Sequence, residues 1–194
     1  MKKLKTILIF LVANIVLLTA DLYAQDKTGN SSIDNPVQTQ PNGRNLISCS
    51  AFDAITYNGH TISQINATGG IQSSVQSLWG SYTTVNENDT SPERLFMFDE
   101  AKVAFNTETG RLTTIEISNY HWPVVILGKE IKVGDQFNKL KQEFGSNIKI
   151  IYKPAISDRY VVSFNCSGND YDGLLIYFNP ASHEVDEIKY YKIP

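Results

Sequence analysis

The chain has 194 residues, of which 42% are hydrophobic and 11% aromatic, with 17 Lys and Arg against 20 Asp and Glu and a net charge of -3. That apolar share is enough for a folded core. A mildly acidic chain without a basic stripe excludes nucleic acid and anionic membrane surfaces as partners.

The segment from Met1 to Ala24 reads as an export signal. Lys2, Lys3 and Lys5 form a positive start, Thr6 to Ala20 is an apolar run, and Leu22-Tyr23-Ala24 ends in a small residue before Gln25. These are the three parts of a secretory signal peptide. The run is shorter than the roughly 20 residues that a membrane-crossing helix needs. Cleavage near Ala24 is expected, leaving a periplasmic or secreted protein of charge -5 with no membrane span. Residues 25–45 are rich in Asn, Gln, Ser, Gly and Pro. They read as a flexible polar leader, since they cannot bury enough apolar surface to offset ordering. Cys49 and Cys166 are the two cysteines. In an oxidising compartment an even count points to a bridge, and two buried free thiols are the alternative.

From Leu46 onward the chain matches itself. Val103-Ala104-Phe105-Asn106, then Leu112, Ile115 and Ile117, meet Ile176-Tyr177-Phe178-Asn179, then Val185, Ile188 and Tyr190, under one constant shift and without a gap. Alternation of period two makes each run a half-buried strand and each pair a hairpin. Further upstream, Tyr57 to Ile62 resembles Ile126 to Ile131, each a short strand or turn around a glycine. The segment Gly69–Gly80 matches Gly134–Gly145, with four extra residues before the glycine in the first copy. In the second copy Phe137, Leu140 and Phe144 form one helical stripe, with Asp135 expected as N-cap and Gly145 as the stop. In the first, Ile71, Val75, Leu78 and Trp79 form the same stripe before Gly80.

Each copy therefore reads as a short strand, a helix and a set of antiparallel strands. In the first the strands are 94–98, 102–106 and 111–118. In the second they are 148–152, 159–165, 174–179 and 184–191. The expected fold class is α+β: a tandem repeat, 46–120 and 121–194, forming one wide curved sheet with the helices on one face. The segments Val75–Gly80 with Val103–Ile117, and Phe137–Gly145 with Ile176–Tyr190, resemble the fold of β-lactamase inhibitor proteins. The strand pair from Phe98-Asp99 to Phe105 is also similar to that of uncharacterised exported domains, some of them suspected partners of secreted toxins. These resemblances imply a binding role.

Signals for chemistry are weak. His60, His121 and His183 stand in turns or linkers, without the spacing of metal ligands. No nucleophile elbow, P-loop or dinucleotide fingerprint is present. The segment Ser167–Gly173 carries Asp170 and Asp172 in the alternation of a calcium loop. It lacks an acid at Gly168 and a closing Glu, so it reads as a polar hairpin loop. No catalytic residue, metal or cofactor is expected. What remains is aromatic: Tyr120, Trp122, Tyr152, Tyr160, Tyr171 and Tyr191 are the candidate protein-binding residues, because Tyr and Trp are enriched at binding hot spots. Alignment with Ile117 puts Tyr190 in the core and Tyr191 on the other side. The favoured reading is a non-enzymatic inhibitor or immunity protein that blocks a toxin or enzyme through an exposed sheet face. An envelope scaffold domain and a hydrolase with scattered catalytic groups are the alternatives.

Overall fold

The computed structural model describes residues 37–39, 44–86, 92–99, 101–152, 158–166 and 172–192, all within the unit 36–194. The signal segment, most of the leader, Tyr171 and the Asp170 loop lie outside the described residues. In chain order the first elements are β1 (Gln38–Thr39), β2 (Asn45–Ile47), α1 (Cys49–Asp53), β3 (Thr56–Tyr57), β4 (His60–Thr61), α2 (Ile62–Asn66) and α3 (Gln72–Trp79). Next come β5 (Thr84–Asn86), β6 (Glu93–Phe98), β7 (Ala101–Asn106), β8 (Leu112–Ile117), β9 (Val124–Ile126) and β10 (Lys129–Ile131). The last are α4 (Phe137–Phe144), β11 (Ile151–Tyr152), β12 (Tyr160–Cys166), β13 (Asp172–Phe178) and β14 (Val185–Lys192).

The fold is α+β. A large sheet runs in the order β1-β2-β12-β13-β14-β8-β7-β6-β5, with β11 added to β12. A second sheet has the order β10-β9-β3-β4. The hairpins expected from period-two alternation are present: β7 pairs with β8, and β13 with β14, both antiparallel. The two sets of strands join edge to edge where β14 pairs with β8. That ladder sets Glu116 opposite Lys189, two residues that also fall on one another in the sequence match.

Local geometry at the two hairpin turns agrees at the same spacing. Asn106 Oδ1 accepts from the N–H groups of Glu108 and Thr109, as Asn179 Oδ1 accepts from Ala181 and Ser182. Both hairpins carry a register shift, at Ala104/Phe105 and at Tyr177/Phe178. Each turn closes on a left-handed residue, Gly110 at φ 66 and His183 at φ 57.

The core lies against one face of the large sheet. Phe96, Val103, Phe105, Ile115, Ile117, Ile176, Ile188 and Tyr190 point into it and are almost fully buried. From the other side come Phe52, Ile65, Val75, Leu140 and Phe144 of the helices. The small sheet covers the same face, with Tyr57 edge-on to Tyr190 at 5.8 Å between ring centroids. Sequence pattern gave its segments as short strands or turns around glycines, and did not show that they form a sheet. Two-residue strands such as β3 and β4 carry too little periodicity to show that β3 pairs with β9.

Several local expectations change. Asn45, read as the end of the leader, is fully buried. Its Nδ2 donates to the Lys149 and Ser163 carbonyls at 3.1 and 2.9 Å, and its Oδ1 accepts from the Lys149 N–H at 2.9 Å. A polar group so satisfied can be buried at little cost. The sheet also reaches back to Gln38 and Thr39, which pair with Leu46 and Asn45. Asp135 is not the N-cap of α4; Gln136 is, without a side-chain bond. The Asp135 carboxylate instead accepts from the Lys132 N–H at 2.9 Å and pairs with Lys139 at 2.7 Å, closing the preceding turn. Gly145 does stop α4, at φ 95, its N–H bonding to the Lys141 carbonyl. Ile71 is 57% exposed and stands outside α3, so the apolar stripe of that helix begins at Val75.

Cys49 and Cys166 form a disulfide across 117 residues, tying α1 to the end of β12. No helix among the described residues is long and apolar enough to cross a membrane.

Candidate functional site

Alternation that sends one set of side chains into the core sends the other to the opposite face of the large sheet. Lys102 on β7, Glu116 on β8, Lys189 on β14 and Leu175 on β13 stand in one row of registered partners. Tyr177 lies opposite Glu187 one step along, and Tyr191 opposite Gly173. All of these but Gly173 and Lys102 are half-buried, and Lys102 is exposed. Toward β12 the face closes: Val161, Ser163 and Asn165 are buried. The accessible part therefore lies on β7, β8, β14 and β13.

Ionic bonds fix the side chains across this face. Glu116 receives Lys102 on one side at 3.4 Å and a short hydrogen bond from Lys189 on the other. Burial pushes the Glu116 carboxyl up, but the two ammonium groups outweigh it, Lys189 foremost, and hold it below the ordinary carboxylate value. Arg159 bonds Glu187 at 2.7 Å and Asp186 at 3.4 Å, with its guanidinium over the Tyr177 ring at 4.4 Å. Burial, then the Glu187 charge, raises the Tyr177 phenol above its ordinary value. Tyr191 lies across Gly173, where a Cβ would fall 2.6 Å from the ring, so glycine is required for the ring to lie flat.

The described members of the expected aromatic set stand in different places. Trp122 is only 7% exposed and belongs to the core, its ring 5.1 Å from Trp79 and 5.3 Å from Phe98. The linker around it folds inward because these rings give the indole an apolar seat. Tyr160 packs on the core side, with its ring 6.3 Å from His183. Tyr120 is 62% exposed in the same linker as Trp122, against His121. Among the described side chains of the set, Tyr191 is the one placed on the open face. The backbone of Tyr152 pairs with Tyr160. Sequence reasoning did not single out Tyr177, Arg159 or the Lys102–Glu116–Lys189 row. The register of β14 on β8 brings that row together, and no local pattern announces it.

Among the described residues no group of three His, Cys, Asp or Glu could hold one metal ion. No family model matches the chain, and no curated protein matches it. Two solved structures show a distant likeness. One is an extracellular protein containing an SCP domain from Bacillus anthracis str. Ames, at 11% identity and TM-score 0.38, covering 62% of this chain and 42% of that one. The other is a DUF4309 family protein, YjgB, from Bacillus subtilis subsp. subtilis str. 168, at 9% identity and TM-score 0.36, covering 68% and 95%. Neither is a β-lactamase-inhibitor-like domain, and neither likeness is close enough to carry function across.

Proposed function

We propose that the chain is an exported, non-enzymatic binding protein that holds another protein against the open face of its large sheet, as an inhibitor or immunity protein would. The observation that carries this reading is the face itself. Tyr177, Tyr191 and Leu175 supply apolar and aromatic area, and ion pairs on either side hold charged groups in set positions. Side chains ordered before contact lose less entropy on association. The matched turns and the ladder that sets Glu116 opposite Lys189 support an internal duplication as the origin of so wide a face. Export is supported by the charged and apolar start of the chain and by the Cys49–Cys166 bridge, a bond that persists in oxidising compartments.

Photo-crosslinking in the producing cell tests the proposal. A photoreactive residue at Thr114 or Leu175, on the open face, is expected to give one discrete heavier adduct containing a second protein. The same residue at Gln76 or Lys141, exposed on the helices, should give none. Adducts from the helix positions alone, or from no position, would overturn the reading.

A further inference from the structure

A second feature is independent of the sheet face. A cleft of about 570 Å³ opens between α1, α2, the β7–β8 turn and the end of β14. It lies where the two halves of the chain differ. At the corresponding place in the second half, backbone pairing seals the junction: Val185 N–H donates to the Asp135 carbonyl, and Gly134 N–H to the Val185 carbonyl. In the first half, which carries four extra residues before the glycine, α2 stands beside the hairpin. Leu112, the counterpart of Val185 in the sequence match, donates its N–H at 2.7 Å to the side-chain Oδ1 of Asn66 instead. Asn66 lines the cleft beside Gly110 and Arg111.

Its lining is rich in donors. Leu112 fixes which way the Asn66 amide is turned, so Nδ2 remains as a positioned donor on the wall. Arg111 and Lys192 add two cations, and Ser63 a hydroxyl. The Arg111 guanidinium is exposed and makes no ion pair among the described residues. Among the described residues of the lining, Asp53 is the one carboxylate. The volume falls within the range of small-molecule sites. Guanidinium and ammonium groups beside a fixed amide donor are the groups that bind carboxylate and phosphate oxygens.

We infer that this cleft binds a small solute bearing an oxyanion, carboxylate or phosphate, with Arg111 and Asn66 as the binding groups. Charge makes the effects of two substitutions opposite in sign. Arg111→Gln removes an attractive cation, whereas Asp53→Asn removes a repulsive carboxylate. Both residues are exposed, so neither change threatens the fold.

The test titrates isotope-labelled protein, purified from the producing cell, with inorganic phosphate and separately with citrate at constant ionic strength. Amide resonances of Asn66, Arg111 and Leu112 are followed. Saturable shifts confined to these residues are expected, about tenfold or more weaker in Arg111→Gln and stronger in Asp53→Asn. Whichever anion saturates names the source, phosphate or carboxylate. Shifts that stay linear with both anions, that spread over all surface cations, or that ignore both substitutions would overturn the inference.

Discussion

Replacing both cysteines, as Cys49→Ala with Cys166→Ala, gives a direct measure of what the long bridge does. The bridge closes a loop of 117 residues, which runs from α1 to the end of β12. In the chain-entropy model a loop of that length removes about 5 kcal/mol worth of freedom from the unfolded chain. The folded state should change little, because Ile47 and Cys166 are already registered partners in the β2–β12 ladder. Urea unfolding of the two proteins, followed by tyrosine and tryptophan fluorescence, reads the difference. With a slope of about 2 kcal/mol per molar, the midpoint of the double variant should fall by about 2.5 M. The slope itself should rise, since the unbridged unfolded chain expands further. A midpoint that falls by less than about 0.5 M would mean a loss below about 1 kcal/mol. That would refute the view that the bridge acts by restricting the unfolded chain.

Two further outcomes follow from the packing and charge described above. Trp122→Ala should cost about 3–5 kcal/mol by emptying a core seat, whereas Tyr120→Ala, at the surface, should stay within about 0.5 kcal/mol; equal costs in chemical denaturation would count against the placement of the linker. Glu116 has a folded pKa below its ordinary 4.5, so its stabilising contribution is present above that value and is lost as pH falls through the lower folded one. Glu116→Gln, which also leaves Lys102 and Lys189 facing one another, should be less stable than the parent at pH 7. That gap should narrow toward pH 3. A gap that stays constant across a pH series of unfolding midpoints would contradict the ion-pair account.

Much of the α+β plan was legible in the chain because it is written in local periodicity. The runs ending at Asn106 and Asn179 alternate with period two and became β7 and β13, and the Phe137, Leu140 and Phe144 stripe became α4. The even cysteine count pointed to the bridge, and strand parity put Tyr190 in the core and Tyr191 outside. Caps were read less well. Asp135 sits one residue too early, since its carboxylate had a nearer N–H and a lysine to serve.

What no local pattern could decide was how distant segments meet. Asn45 read as the end of a polar leader, and Trp122 as a candidate binding residue in a linker. Their burial depends on partners far along the chain, the Ser163 carbonyl for one and the Phe98 ring for the other. The small sheet, the Lys102–Glu116–Lys189 row and the cleft beside α2 exist only because the two halves of the chain come together in one register. Periodicity is a property of neighbours along the chain, and it determined the elements. Which side chains stand side by side is a property of how those elements pair, and only the tertiary structure supplied that.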